Sequence, residues 1–516
     1  MINQLLTKLR RLLYDMNLFK GSKSVQDAIK VSVSEEMYTL IEQWKQVYGG
    51  YYPDFHDVNY TTVAGKRQRK RASLKMPKVI SQKMATLIFN EQCEVHVSNT
   101  QLEEAIQVIL KDNKFDTEFR RYLEYAFAMG GMAMKVYVED GKVKLSYNTA
   151  DTFIPVAWDN TRVSEGIFIS TFTKGDKYYS LLEWNVIENG KFIIKNELYE
   201  SKNQYELGIK VNLQSIYPDL EERIEFNSVQ KPLFVYFKPN TANNFDTQSP
   251  LGISLFANAM DTLKSLDIAF DSFQREFVLG KKRIIVPASA INTVVDPQSG
   301  NMHRYFDAED EVYQAMDIGD MDNSKIADIS VEIRVEEHVS AINALLNMLA
   351  MQIGFSSGAF TFDGTGVKTA TEVVSEQSET FRTKKDHENN AETAICELVD
   401  AIVEIADAFN IFPRVEDYEV TVNFDDSIIE DKKAEIDKQI LLVTSGLTTK
   451  VNALQKIHGI TKEEAVKMLQ EIIEEQRLTA PIMPDMADMY GGSDGDDIPQ
   501  DEEPVEDIIL DDNKED

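Results

Sequence analysis

The sequence predicts an α+β protein of more than one structural unit, and three observations carry that reading. Between Gly131 and Phe237 apolar and polar residues alternate in runs such as MAMKVYVED, KVKLSYN, GIFISTFTK, KYYSLLEWNVI and KFIIKNELYE, broken by Asp-Gly, Asn-Gly and Lys-Gly-Asp turns. That period of two marks half-buried strands joined by hairpins. Elsewhere apolar residues recur every three or four positions, the helical period. The 516 residues are several times a domain of roughly 100 to 200 residues, enough to bury a sizeable core.

Residues 2–19 place Ile2, Leu5, Leu6, Leu9, Leu12, Leu13, Met16 and Phe19 on one stripe, which predicts an amphipathic packing helix. The segment GKRQRKRASLKMPK then concentrates Lys66, Arg67, Arg69, Lys70, Arg71, Lys75 and Lys78 with no acid. Such a patch, expected as a loop, serves nucleic-acid contact, simple solvation, or salt bridges to the acidic surface of a neighbouring subunit. A helix is expected from Val79 to Glu91, a strand around Val95, and a helix over 115–129 ahead of the strand block. Ser249-Pro250 supplies an N-cap and a proline at the first helical position, and Ile253, Phe256, Met260, Leu263, Leu266, Phe270, Phe273 and Phe277 continue the period to Leu279. A helix over that span would be about 45 Å long at ~1.5 Å per residue, long enough to reach between bodies. Residues 283–335 read as a small strand insert (RIIVPASAI, VYQAMDI, ISVEIRV), and a second apolar helix follows at 337–353. Helix, insert and returning helix should lie side by side with the insert at their far end. The irregular loop FSSGAFTFDGTGVKT leads to a helix over 370–408 whose first half is polar, suited to a polar partner or a wet space. A strand over 418–424, three helical runs to about Arg477 and a tail complete the chain. From Ser493 to Asp516 the tail holds twelve acids and one lysine, the composition of a disordered segment.

Charge and spacing exclude several classes. With 54 Lys plus Arg against 86 Asp plus Glu the net charge is −32, which opposes uniform adhesion to nucleic acid or an anionic membrane, so any polyanion must meet a local patch. Cys93 and Cys396 are too far apart in sequence to suggest a metal site, and a reducing interior is expected. No run approaches the ~20 apolar residues of a membrane span and no secretory leader is recognisable, so the chain is expected to be cytosolic or carried in a particle. Gly364-Thr365-Gly366-Val367-Lys368-Thr369 departs from a P-loop, which needs glycine directly before the lysine and a strand upstream. The six histidines are scattered, and acid pairs such as Asp271 near Glu276 arise readily among 86 acids. No enzyme, cofactor or metal is expected.

The segment KPNTANNFDTQSPLGISLFANAMDTLKSLDIAFDSFQREFVLGKKRIIVP (238–287) resembles the portal proteins of tailed bacteriophages, in the branch infecting Gram-positive hosts. VISQKMATLIFNEQCEV, GGMAMKVYVEDGKVKLSYNTADTFIPVAWD and GFSSGAFTFDGTGVKTATEVVSEQSETFRTKKDHENN extend the resemblance over about 60–490 in the same order. It implies a portal fold in a ring, typically of twelve subunits: an N-terminal region and mixed α/β wing (1–240), a first stem helix (241–280), an α/β clip (281–336), a second stem helix (337–353), a tunnel loop (354–368), a long wing helix and return strand (369–429), a helical crown (430–490) and the acidic tail (491–516). The role implied is a head-tail connector at one capsid vertex of the virion, the channel for double-stranded DNA during packaging and ejection. A separate terminase large subunit would supply the motor, with capsid, scaffold and head-completion or adaptor proteins as further partners. Ser356, Ser357, Thr361, Thr365 and Lys368 of the loop are then the expected DNA contacts, and the basic stretch from Lys66 to Lys78 is expected outside the channel. The rival reading is an acidic cytosolic scaffold or adaptor that binds proteins only; a closed ring with a pore discriminates the two.

Overall fold

The computed structural model describes residues 34–479 apart from 63–64, 91–92, 205, 281–283, 286–292, 296–301, 305–326, 329–331, 362–377, 416, 425–431 and 459–461. The helix expected at 2–19, the acidic tail, most of the insert and the second half of the glycine loop lie outside the described residues. Two compact units divide the chain at Asp431.

The first unit opens with α1 (Glu35–Tyr48), whose Met37, Ile41, Trp44 and Val47 recur at helical spacing and are buried. A short turn at Pro53–His56 leads into an antiparallel ribbon of β1 (Asp57–Thr62) and β2 (Gly65–Lys70), with Asp57 opposite Lys70. Here the sequence expectation fails: the core of the basic stretch is a strand and not a loop. α2 (Met76–Ile88) starts three residues earlier than expected, with Pro77 in its first turn, and buries Ile80, Met84 and Ile88. β3 (Glu94–Val97) follows. Asn99 caps α3 (Thr100–Asp112), its Oδ1 accepting the Leu102 N–H at 3.0 Å. α4 (Phe115–Met129) packs Phe115 and Phe119 against Phe89.

The period-two block forms the strands its pattern dictates. β4 (Met132–Glu139) and β5 (Lys142–Thr149) meet at Asp140-Gly141, both at positive φ as a two-residue hairpin turn demands. β6 (Phe153–Trp158), β7 (Val163–Lys174), β8 (Lys177–Glu188), β9 (Lys191–Ser201) and β10 (Ile209–Val211) form an antiparallel meander in that order, and β11 (Arg223–Phe226) adds to β9. β12 (Phe234–Phe237) returns to pair with β4, so a second sheet runs β12-β4-β5.

Residues 250–259 depart from the helix expected from Ser249 onward. Leu251, Ile253, Leu255 and Phe256 are all buried, in a non-helical segment that ends in a single 3-10 turn. Tertiary contacts satisfy its backbone: the Leu255 N–H donates to Phe127 O at 2.9 Å and Ser254 Oγ to the same carbonyl at 3.3 Å. The segment therefore plugs the C-terminal end of α4, and α5 begins only at Met260 and ends at Leu279. Twenty residues make it about 30 Å long at ~1.5 Å per residue.

The insert shows two short pairs, β13 (Ile284–Ile285) with β16 (Ala327–Asp328) and β14 (Thr293–Val295) with β15 (Met302–Arg304); the VYQAMDI strand expected there lies outside the described residues. α6 (Val335–Gln352) returns along α5. α7 (Ser378–Ala408) lies across β12 and β4, with Ile395, Leu398, Val399 and Ile402 in one core shared with α4 and both sheets. β17 (Val420–Asn423) pairs with β3. The second unit contains α8 (Lys432–Thr444), α9 (Lys450–His458) and α10 (Lys462–Thr479) in sequential packing.

The polar half of α7 is divided: Glu379, Arg382, Lys385, Asp386 and Asn389 are exposed, whereas its other side is buried. Lys384, His387 and Glu388 are all buried, with Lys384 Nζ 2.9 Å from Glu388 Oε1 and Lys385 Nζ 3.3 Å from Oε2. Asn240 donates its N–H to His387 Nδ1 at 3.0 Å, and the ring stands edge-on to Phe127. Burial pushes the His387 pKa down to about 4. Between the unfolded value of ~6.5 and that figure the unfolded chain binds a proton the native chain refuses, so stability falls as pH falls. Urea unfolding free energies at pH 7 and pH 4.5 should differ by about 2 kcal/mol from this group, and His387→Gln should flatten that part of the profile.

A close backbone contact sets a second expectation. A Cβ on Gly252 would stand 2.4 Å from Gly130 O, so only glycine permits the plug to seat. Gly252→Ala should lower stability by about 1–3 kcal/mol, the usual cost of overpacking, read as a shifted denaturation midpoint.

Candidate functional site

Long-range polar contacts gather around α5. Asp267 and Asp271, one helical turn apart, are both buried. Arg69 donates to the Asp271 carboxylate from both Nη atoms, at 2.7 and 2.6 Å, and the Ala72 N–H adds a third bond at 3.2 Å. The Leu74 N–H donates to Asp267 Oδ1 at 2.9 Å, while His56 Nε2 donates to Oδ2 at 3.1 Å. The other ring nitrogen, Nδ1, lies 2.8 Å from Tyr52 N and 3.0 Å from Tyr52 O, so both ends of the imidazole are held. Burial alone would raise the Asp271 pKa, but the Arg69 hydrogen bonds, the Ala72 N–H and nearby positive charge outweigh it and hold it below the ordinary carboxylate value.

This clamp divides the basic stretch. Arg69 belongs to Asp271, Arg71 donates to Phe55 O, and Lys78 pairs with Glu124. Lys70 lies 4.3 Å from the centre of the Tyr51 ring, and Lys75, in the left-handed region at φ 52°, lays its stem against Gly50. Lys66 and Arg67, at the outer end of the ribbon, are exposed and meet no acid among the described residues. The seven cations are thus not one free patch.

The glycine loop starts from an equally fixed base. The Ser356 N–H donates to Thr380 Oγ1 at 2.8 Å and the Thr380 N–H to Ser356 Oγ at 3.1 Å. Thr380 sits in the first turn of α7, where amides lack an intrahelical acceptor, so Ser356 caps that helix from a distant segment. Ser356 is buried, with its hydroxyl engaged in this cap. Ser357 is exposed, its hydroxyl donating to Asn347 Oδ1 at 3.2 Å, and that oxygen also accepts the Gly358 N–H at 2.8 Å. Lys83 of α2 donates to Ala359 O at 2.9 Å beneath the Phe360 ring, and its burial lowers its pKa. Thr361, half-buried, is the last described position of the loop; Thr365 and Lys368 lie outside the described residues.

At the insert end of the helix pair, Arg334 donates to both Glu276 oxygens at 3.1 and 3.0 Å, with His338 Nε2 at 3.3 Å. These bonds, from Arg334 first, hold the Glu276 pKa down to about 2. They also set the C-terminal end of α5 beside the N-terminal end of α6, so the helices run antiparallel. The acid pair Asp271 and Glu276 is therefore spent on two separate clamps. A cleft lined by Arg162, Lys231, Glu397 and Asp400 is likewise occupied by its own ion pair, Lys231 to Asp400 at 2.7 Å. Among the described residues no three His, Cys, Asp or Glu side chains are grouped as metal ligands, and no helix is long and apolar enough to cross a membrane.

Asp267, His56, Asn347, Thr380 and Lys83 were not singled out in the sequence. One signal was present: Leu263, Asp267 and Asp271 share a helical face at four-residue spacing, and a carboxylate on an apolar stripe must find a partner.

Residues 27–478 match the family described as "Phage portal protein, SPP1 Gp6-like". No curated protein matches the chain. Similar solved structures include the neck of an empty GTA particle computed with C6 symmetry, at 11% identity and TM-score 0.42, covering 74% of this chain and 88% of that one. The neck of the native particle computed with C12 symmetry gives 10% identity and TM-score 0.41, with 74% and 89% covered. A virion of the native gene transfer agent particle gives 10% identity and TM-score 0.40, with 75% and 88% covered.

The Asp271 clamp yields a pH-dependent expectation. Its depressed pKa contributes stability that is present above the unfolded carboxylate value of ~3.9 and lost as pH falls through the folded value. Asp271→Asn should cost about 2–3 kcal/mol at pH 7, between the ranges for buried and surface pairs. Its deficit relative to wild type should shrink as pH is lowered below ~4, measured by denaturant titration at each pH.

Proposed function

This chain belongs to the phage portal protein family, SPP1 Gp6-like, whose members are structural connector subunits, and we propose that it assembles into a closed dodecameric ring at one capsid vertex. The ring is the channel through which double-stranded DNA enters during packaging and leaves on ejection. It also docks a terminase large subunit, capsid and scaffold proteins and head-completion or adaptor proteins. The chain acts in the host cytoplasm during assembly and in the virion afterwards.

The antiparallel pair of α5 and α6 carries this reading. It leads at one end into the insert at 281–331 and at the other into the glycine loop, the order expected of stem, clip and tunnel loop. Both helices also leave large apolar side chains in water: Phe277, Val278 and Leu279 on α5, Met348 and Met351 on α6. In a ring, the helix pairs of neighbouring subunits would cover them, since exposed apolar clusters of this kind mark association surfaces. The charge fits the same role. At a net −32 the chain offers duplex DNA few of the lysine-phosphate contacts whose counterion release creates salt-dependent adhesion, so DNA can slide.

Within the loop, Ser357, Thr361, Thr365 and Lys368 are the candidate DNA contacts. Hydroxyls meet phosphate without strong adhesion, and one lysine adds a weak, salt-sensitive contact. The Ser356 cap and the Lys83 contact give that loop a fixed root.

Light scattering on purified protein should give a mass that is a high multiple of the 58.7 kDa chain; a strictly monomeric species even with scaffold protein present would contradict the ring. Deletion of Thr361–Gly366 should leave rings intact and reduce the DNA packaged per particle. Wild-type packaging by that variant would show that the loop does not act on DNA.

A further inference from the structure

The ribbon of β1 and β2 is a two-stranded sheet held at one end. Its base is fixed on both faces, by Arg69 on Asp271 and by Lys70 over the Tyr51 ring. Its outer half, Asn59 to Thr61 and Lys66 to Gln68, is exposed. An isolated two-stranded hairpin is marginal in water, so a ribbon of this kind holds its shape through its anchored base and whatever its outer half meets. Register places Tyr60 directly opposite Arg67 and Thr61 opposite Lys66. The outer half therefore presents an exposed aromatic ring beside a guanidinium, residue types enriched where interfaces concentrate their binding energy.

Charge decides the partner. Residues 57–70 hold four cations and one acid, a net +3, which leaves −32 − 3 = −35 for the rest of the same chain. The strongest attractor for this arm is therefore the acidic surface of a second copy, while the same −35 repels duplex DNA from the arm's surroundings. Lys and Arg along β2 also discourage strand-to-strand pairing with another basic ribbon, so side chains and not backbone make the contact. We infer that the 57–70 ribbon is an arm that docks the Tyr60, Lys66 and Arg67 end onto the acidic surface of the neighbouring copy. This rests on the ring reading, which places that neighbour within reach, and deepens it by naming the segment that reaches across.

The test uses the full chain, assembled from a mixture of isotopically light and heavy protein, with a photo-crosslinking phenylalanine in place of Tyr60. Crosslinks should join light to heavy chains and map to Asp- and Glu-rich peptides. In parallel, Lys66→Glu with Arg67→Glu should at least halve the salt concentration at which assembly is half lost, Lys66→Gln with Arg67→Gln should do so less, and the thermal midpoint of the dissociated chain should stay unchanged. Rings whose crosslinks stay within one chain, or run to DNA or another protein, overturn the arm and leave the ring standing. An unchanged salt midpoint does the same. A wild-type chain that remains monomeric overturns both.

Discussion

Two carboxylates on α5, Asp267 and Asp271, set the geometry of the region between α1 and α2. They collect one guanidinium, one imidazole and two backbone amides, from Arg69, His56, Ala72 and Leu74. Every one of those donors is some two hundred residues away in sequence, so loop closure costs entropy that the contacts must repay. A buried carboxylate stripped of its partners is costly, and that cost makes the arrangement all-or-none. The ribbon, the bend after it and the start of α2 are fixed together or not at all.

The same economy recurs along the chain. Glu276 ties the antiparallel helix pair together at its insert end, Ser356 caps the start of α7, and Lys384, His387 and Glu388 are buried on the inner side of α7, where His387 accepts the Asn240 N–H. In a chain with 86 acids, carboxylates tie segments distant in sequence to one another.

The strand block was legible because its period of two and its Asp-Gly and Asn-Gly turns are local signals. Helix 115–129 was equally plain, from the aromatic stripe inside it to the Gly130 that stops it. What the sequence misled on depends on contacts across the fold. Residues 250–259 carry a proline at the right place for a helix start and apolar residues near the right period, yet they form no α-helix, because Phe127 O accepts from Ser254 and Leu255 and Gly252 packs on Gly130. The basic stretch looked like one patch because like residues adjoin in sequence, whereas folding sends five of the seven to Asp271, Phe55, Tyr51, Gly50 and Glu124 and leaves two at the ribbon's end. Ser356 looked like a loop hydroxyl, and only the position of α7 shows that it is a cap.

Amide hydrogen exchange on the full chain at neutral pH tests the clamp most directly. Ala72 and Leu74 lie outside any helix or strand, so an ordinary connecting segment would exchange them quickly. Bonded to Asp271 and Asp267, they should instead exchange as slowly as the core amides of α4, while amides at the outer end of the ribbon exchange fast. Rapid exchange at Ala72 and Leu74, matching the ribbon's end, would contradict a clamp on α5.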